Sequence, residues 1–395
     1  MKKSLLALAC GAFTFGAAEF VMMGILTQAA HDMNVSIPTA GNFISAYAIG
    51  VCVGTLMLVF GRKAGPKKLI VLFMVIALVG DLLSAVAPSA TMLIIGRFVA
   101  GLPHGAFFGT ATLIAKTIAE PGKAAKAVSM TITGQTVANM LGVPAGTLIA
   151  EHLSWRLAFL LLAGVAALTV VLVTVWVPRI EPVEDAGILG QFRFLGHPGP
   201  WMVLGAVLAG NTGIFCWWSY VSPWLQKVGG YSSGMVPLLM MLAGFGMVIG
   251  GLYGGHFADR WRSAGTAAMG QFISVIGLAL VFLVPGSRLD CAIFTFIISF
   301  ALFFISSPQQ LLMAEAGKGG GELIGGATVQ IAFNFGNAVG STVGGAMLNA
   351  SHMNYHFPAL GGLPFAVIAV LLLALYSWKY EQHTSAIDRL EPVEV

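Results

Sequence analysis

Four ionisable side chains fall inside apolar runs. Glu19 sits within Phe15-Gly16-Ala17-Ala18-Glu19-Phe20-Val21-Met22-Met23-Gly24, and no lysine or arginine occurs between Lys3 and Arg62. Asp81, Arg97 and His104 follow in later apolar runs. A charge at a bilayer centre costs roughly 2.5–3.5 kcal/mol on insertion scales, so an acid kept there is paired, protonated or in contact with a ligand. An acid that alternates between a desolvated place and one beside a cation gains a proton in the first and loses it in the second. That is the chemistry of a proton relay. The other reading of Glu19 is a fixed ion pair with Arg97 that only locks helices together. Arg97 stays protonated, so its part is to tune a neighbouring acid or to hold backbone carbonyls. His104 lies two turns beyond Arg97, on nearly the same helix face. It either joins the cluster or bonds a carbonyl as a packing residue. Asp81 is either a second titrating acid or a group that reaches the headgroups.

The elements that position these groups follow from composition. The chain is 57% hydrophobic and 9% charged, with 50 glycines among 395 residues. Soluble domains carry about 25% charged residues, so this chain cannot cover itself in water. Its apolar runs are continuous rather than alternating, which selects transmembrane helices over a barrel. A formal charge of +4 without a basic arm gives no reason to expect nucleic acid. Cys10, Cys52, Cys216 and Cys291 stand singly and read as reduced, buried thiols.

A window of about 20 residues places twelve spans at 4–27, 40–60, 69–87, 91–115, 127–150, 156–177, 200–225, 234–257, 265–285, 291–314, 323–349 and 361–379, numbered 1 to 12 below. The N-terminal MKKSLLALAC imitates a leader, yet its apolar run reaches Leu26 and reads as a retained first span. The polar link 179–199 divides the chain into an N-terminal bundle, 1–178, and a C-terminal bundle, 200–395. With both termini cytoplasmic, every lysine and arginine is on the inner side except Arg156, Lys227 and Arg288 outside and Arg97 within a span, a strong positive-inside bias. Asn139-x-x-Gly142-x-x-x-Gly146 in span 5 recurs 198 positions later as Asn337-x-x-Gly340-x-x-x-Gly344 in span 11. The expected fold is an all-α membrane protein of two pseudo-symmetric six-helix bundles, the architecture of secondary transporters with a site at the midplane.

The sequence resembles the major facilitator superfamily, in particular its twelve-span drug/proton antiporter branch and the bacterial arabinose (sugar) efflux permeases within it. Glu19-Phe20, Gly96-Arg97, Gly101-x-x-His104-Gly105-Ala106-Phe107-Phe108-Gly109, Gly142-x-Pro144-x-Gly146 and Trp155-Arg156 carry the resemblance. The loop at 57–68 departs from it, lacking the family's aspartate; the repeat copy keeps Gly255-x-x-x-Asp259-Arg260. The resemblance implies a cytoplasmic gate at Asp259 and Arg260, and outward transport from the span 5 motif, with Asn139, Gly142, Pro144 and Gly146 as its hinge.

The C-terminal spans hold no ionisable group near their middles, so coupling is expected in the N-half at Glu19, Arg97, His104 and Asp81, and the C-half is left to shape the substrate site. Trp217 and Tyr220 share a helix face and offer rings to a sugar or a drug, while Trp224 reads as part of an interfacial aromatic belt. Asn211, Gln309, Gln310, Gln330, Asn334 and Asn337 supply hydrogen bonds without fixed charge, suiting a neutral solute. Glycines in spans 4, 5 and 11 at multiples of four permit close helix approach, and Pro144 bends span 5. The pair His352 and His356 has metal-ligand spacing but lies in an outer loop, and the run 317–321 is no phosphate loop. An enzyme would have no use for the repeat. The expected function is proton-coupled export of a small neutral solute, first a sugar or sugar-like compound, by alternating access in a bacterial inner membrane. The alternatives are multidrug/proton antiport and uncoupled facilitation. The expected partners are the solute, protons and the lipid bilayer; the protein is expected to act as a monomer, with the proton gradient as energy source and no cofactor or metal.

Overall fold

Lipid offers a backbone no hydrogen-bond partner, so a crossing segment must satisfy itself. The computed structural model describes residues 2–58, 64–120, 124–180, 193–316 and 322–381, and its regular elements there are all helices. Residues 59–63, most of the central link, the glycine run 317–321 and the tail from 382 lie outside the described residues. Ten helical segments among the described residues are long and apolar enough to cross a membrane. They correspond to spans 1–4, 6–10 and 12. Spans 5 and 11 are present as helices over 124–152 and Glu322–Ala350 but fall short of that apolarity. Their polarity has a positional reason. Span 5 carries Gln135 and Asn139, and span 11 carries Gln330, Asn334, Asn337 and Ser341, many of them facing protein instead of lipid.

Two proline effects shape the spans. Span 4 is divided into Ala90–Gly101 and His104–Ile118, because Pro103 has no amide hydrogen to continue the ladder. Span 5 runs as Ala124–Val137, one wide π turn over Ala138–Gly142, then Val143–His152. Pro144 cannot donate to the carbonyl four residues back, and the ladder shifts by one so that the Val143 amide bonds the Ala138 carbonyl. The expected bend takes this form.

The repeat is visible in the packing. A Cβ built on Gly142 would meet Phe13 and Ala17 of span 1 at 2.8 and 3.4 Å, and one on Gly340 would meet Thr212 and Cys216 of span 7 at 2.6 and 3.0 Å. Gly146 likewise faces Val21, while Gly344 faces Cys216 and Tyr220. Span 5 therefore seats on span 1 as span 11 seats on span 7.

The halves meet along two seams. Span 2 (Ile37–Thr55) packs against span 11, and span 5 packs against span 8 (Val236–Arg260). The first seam is polar at its centre. Ser45 Oγ donates to the Ala338 carbonyl at 3.1 Å, Ser341 Oγ to the Gly41 carbonyl at 2.8 Å, and Tyr220 to the Ser341 carbonyl at 2.7 Å. In the second seam, a Cβ on Gly244 would come within 2.3 Å of the Asn139 carbonyl. At the outer end of the N-half, Asp32 accepts hydrogen bonds from Arg156 and from Trp155 Nε1, and Arg156 also donates to the Ala87 carbonyl at 2.9 Å. The Trp155-Arg156 pair thus ties the end of span 1 to the turn before span 4.

Two predictions follow from these contacts. A side chain on Gly344 would press within 2.0 Å of the Cys216 carbonyl, whereas nothing lies within 4 Å of a Cβ on Gly251. Overpacking costs about 1–3 kcal/mol, so Gly344→Leu lowers the thermal unfolding midpoint in detergent while Gly251→Leu leaves it nearly unchanged. The Asp32 carboxyl is held below its ordinary value of 3.8, chiefly by the hydrogen bond from Arg156. A depressed carboxylate stabilises the fold fully above that ordinary value and loses its contribution as pH falls through the lowered one. Asp32 is 45% and Arg156 34% exposed, so screening keeps the pair below about 1 kcal/mol. Melting the parent and Asp32→Asn across pH should give a small constant difference near neutrality that closes in acid.

Candidate functional site

The four charged groups expected in the N-half converge. Glu19, Asp81, Arg97 and His104 are 3, 1, 0 and 1% exposed. They come from spans 1, 3 and 4, and the residue that joins them is Tyr47 of span 2. Its hydroxyl lies 2.8 Å from His104 Nδ1, its ring lies 4.3 Å below the Arg97 guanidinium carbon, and its oxygen reaches the Phe15 carbonyl at 3.4 Å. The second imidazole nitrogen, Nε2, faces Glu19 Oε2 at 3.9 Å. Arg97 Nε donates to the Phe43 carbonyl at 3.3 Å, so Arg97 does hold a carbonyl across the bundle.

Three expectations change here. The close partner of Glu19 is His104, and no direct Glu19–Arg97 ion pair forms; the Arg97 Nη atoms are without hydrogen-bond partners, although the guanidinium is within Coulombic range of Glu19 and Asp81. His104 is no packing histidine on a backbone carbonyl, since it spans a tyrosine and a carboxylate. Asp81 is buried with both oxygens unpartnered, which removes the headgroup reading. One oxygen of Glu19 is unpartnered as well.

This geometry depends on close backbones. A Cβ on Gly101 would meet the Tyr47 carbonyl at 2.2 Å, and one on Gly50 the Phe98 carbonyl at 2.2 Å. Glycine at both places lets span 4 lie against span 2 so that Arg97 and His104 reach the same ring. The break at Pro103 puts His104 at the head of a new helix, where its amide carries no ladder bond.

Between the halves lies a narrow cleft lined by Phe20, Met23, Asn139, Trp218, Met240 and Met247, among others. Its volume is about 10 Å³, room for roughly one water molecule, so the halves are nearly closed on it. Both polar atoms of the Asn139 amide and the Trp218 indole nitrogen are buried without partners. Asn139 belongs to the wide turn before Pro144, so that turn of span 5 and the cleft are one place.

The expected C-half residues divide. Trp217 and Trp224 are buried and meet edge to face at 4.9 Å; Trp224 is therefore not a belt residue. Tyr220 is consumed by the seam, its hydroxyl on Ser341. Asn211 and Asn334 bond carbonyls of their own helices, at Val207 and Gln330, each leaving an oxygen unpartnered. Asn337 and Gln309 are buried and each has an unpartnered amide atom, whereas Gln330 is half-buried. Gln310 is exposed and bonds Ser306 of its own helix, turned out of the core beside buried Gln309. Asp259 and Arg260, the residues of the implied gate, are both exposed at the end of span 8. His356 bonds the Val281 carbonyl at 2.6 Å, and no group of metal-ligating residues occurs among the described ones.

Tyr47, Trp218 and Gln271 were missed. Tyr47 had a usable signal, a phenol in mid-span far from either interface. Gln271 of span 9 is fully buried with its amide unpartnered and faces Gly210; an amide in mid-span was likewise a visible sign. Trp218 differs from Trp217 only in helix face, which its type does not reveal.

Known proteins can now be set beside this geometry. The model of the Major Facilitator Superfamily matches residues 8–328. A protein of Escherichia coli (strain K12) named "Putative transporter AraJ" is 40% identical over 387 residues, 98% of each chain. The "Inner membrane transport protein YdhP" of the same strain is 33% identical over 376 residues, 95% of this chain and 96% of that one. Among solved structures, a bacterial homolog of the human lysosomal transporter Spinster, in an inward-facing and occupied conformation, superposes with a TM-score of 0.70 at 18% identity, covering 96% of this chain and 97% of that one. At that identity the superposition speaks for the fold alone. A family match across most of the chain and relatives alike from end to end leave one conclusion: the chain is a multi-pass membrane transporter that belongs to the Major Facilitator Superfamily.

Proposed function

We propose that the protein is a proton-coupled exporter of a small neutral solute, working by alternating access as a single chain in a bacterial inner membrane. Two bundles, residues 1–178 and 200–395 joined by the link 179–199, rock about the cleft. The solute occupies the cleft and protons enter through the Glu19 cluster, with Arg97, His104 and Asp81 as its other members. One observation carries this reading. Glu19 is buried at membrane depth with one oxygen free and the other facing a histidine, instead of being tied to Arg97. A carboxylate permanently paired with arginine would have little reason to titrate, whereas one facing a neutral imidazole can exchange its proton.

A sugar-like solute is the first reading, supported by the amide of Asn139 in the cleft and by that of Asn337 near the middle of span 11. The apolar lining by Phe20, Met23, Met240 and Met247 favours a second, a lipophilic compound. Methionine is flexible and polarizable and accommodates varied shapes.

Transport in proteoliposomes separates these readings. One proton per solute gains about 2.3 kcal/mol per 100 mV, enough for a solute gradient of roughly 50-fold at 1.36 kcal/mol per decade. Glu19→Gln should abolish gradient-driven accumulation yet retain counterflow exchange; unchanged accumulation in this variant would reject Glu19 as the coupling acid, and a parent that never exceeds equal concentrations would show an uncoupled facilitator. Arabinose, a disaccharide and a cationic dye supplied in parallel distinguish sugar from drug. Asn139→Ala should weaken apparent affinity up to about tenfold, the worth of one hydrogen bond, for a solute that bonds the amide, and leave a purely apolar one unaffected.

A further inference from the structure

Glu19, His104 and Tyr47 form a chain that ends on the backbone of span 1. Tyr47 touches His104 Nδ1 at 2.8 Å and the Phe15 carbonyl at 3.4 Å, while His104 Nε2 faces Glu19 at 3.9 Å. A neutral imidazole carries its hydrogen on one nitrogen and accepts on the other. Two self-consistent patterns result. With Glu19 ionised, Nε2–H points to the carboxylate and Nδ1 accepts from the Tyr47 hydroxyl. With Glu19 protonated, its O–H points to Nε2, Nδ1–H donates to the Tyr47 oxygen, and the Tyr47 hydroxyl turns to the Phe15 carbonyl.

We infer that Tyr47 and His104 form a tautomeric relay that registers the protonation of Glu19 and transmits it to span 2. The inference rests on the proton-coupled reading above. The passage from one pattern to the other balances. A proton from water reached when the halves part binds the Tyr47 oxygen as that oxygen's own hydrogen passes to Nδ1. The hydrogen on Nε2 passes to Glu19. Only O–H and N–H bonds form and break, the ring ends neutral, and the cluster gains one proton. The Nε2–Oε2 distance shortens by about 1 Å to reach hydrogen-bond length.

Every element packed around the ring has a known charge. Span 1 brings Glu19, span 3 Asp81 and span 4 Arg97, all within Coulombic range of Tyr47. Phe15 and Phe108 lie against the imidazole, and Phe159 of span 6 lies beneath Arg97. None of these aromatic rings competes for a proton. The signal has a path out of the cluster. Tyr47 is one place removed on the same helix from Ala46 and two from Ser45, whose hydroxyl holds the Ala338 carbonyl and Ser341 across the first seam at 3.1 Å each. A switch that makes or breaks the Tyr47–Phe15 bond therefore changes how span 2 is held to span 1 while its next turn is held to span 11.

Nitrogen-15 NMR of histidine-labelled protein in nanodiscs tests this directly, together with flux. In the parent, His104 should change from the Nε2–H to the Nδ1–H tautomer as pH falls, and in Glu19→Ala it should keep one tautomer throughout. Tyr47→Phe retains the ring under Arg97 and removes only the hydroxyl. It should lower gradient-driven flux at least about a hundredfold, the lower side of what a proton-transfer group contributes, with counterflow retained, the melting midpoint lowered only modestly and the pH profile of flux displaced. A single His104 tautomer in the parent over the whole range, or a Tyr47→Phe variant with the parent's flux and pH profile, overturns the relay. Glu19→Gln keeps the two proposals apart. If it loses gradient-driven flux while His104 of the parent never changes tautomer, the relay alone fails; if it keeps that flux, the coupling reading fails and the relay with it.

Discussion

A carboxyl group at membrane depth cannot be left to lipid, and the N-terminal half is built around that constraint. Sheltering Glu19 takes an imidazole at its side, a phenol to hold the imidazole, and a guanidinium stacked over the phenol. These come from spans 2 and 4, which can supply them only because Gly50 and Gly101 let the two touch backbone to backbone. Helices in lipid gain no hydrophobic advantage by associating, so small residues and interhelical hydrogen bonds supply the contact. Pro103 completes the arrangement by breaking span 4 just before His104. Loss of either glycine would do more than loosen packing, since it would pull the stack over Tyr47 apart.

The two halves share a plan and divide the work. Gly142 and Gly146 hold span 1 as Gly340 and Gly344 hold span 7. Carried along the same offset, Glu19 falls on Trp217. Where one half buries an acid, the other buries an indole that packs on Trp224. The consequence is an asymmetric machine on a symmetric frame. Among the described residues, the buried carboxyl groups, guanidinium and imidazole belong to the N-half, while the C-half buries Asn211, Gln271, Gln309, Asn334 and Asn337, amides that carry no charge. The serine–carbonyl bonds at Ser45 and Ser341 join the halves without committing either to an ion pair.

Much of this was legible before any coordinates. Length and continuous apolarity placed the spans, because lipid imposes both on every crossing helix. That Glu19, Asp81, Arg97 and His104 stand apart was readable from their shared isolation in apolar runs, whereas whether His104 and Asp81 join the others was open. What could not be read was which face each helix turns to which neighbour. Gln309 and Gln310 are adjacent in sequence, yet one is buried and the other exposed. Trp224 stands where a belt residue would, but the turn of its helix points it inward. Tyr47 gives a weaker sign than a charge does, a phenol in mid-span, since an un-ionised phenol costs little on insertion, although it is what brings the charges together. Spans 5 and 11 look too polar for lipid for a related reason: a helix's solvent cannot be deduced until its neighbours are known.

The wide turn at Ala138–Gly142 has a geometric result of its own. Gly134 and Gly146 both face span 1, against the Ala9 carbonyl and Val21. At about 100° per residue, the twelve steps between them would leave a regular helix roughly 120° out of phase. Absorbing one residue in the wide turn reduces the mismatch to about 20°. The irregularity acts as a phase corrector, keeping a single stripe aligned along the whole length of the first span. Its position also sets the azimuth of Asn139, so a displacement of the turn by one residue would swing that amide about the helix axis without any rigid tilt of the rod.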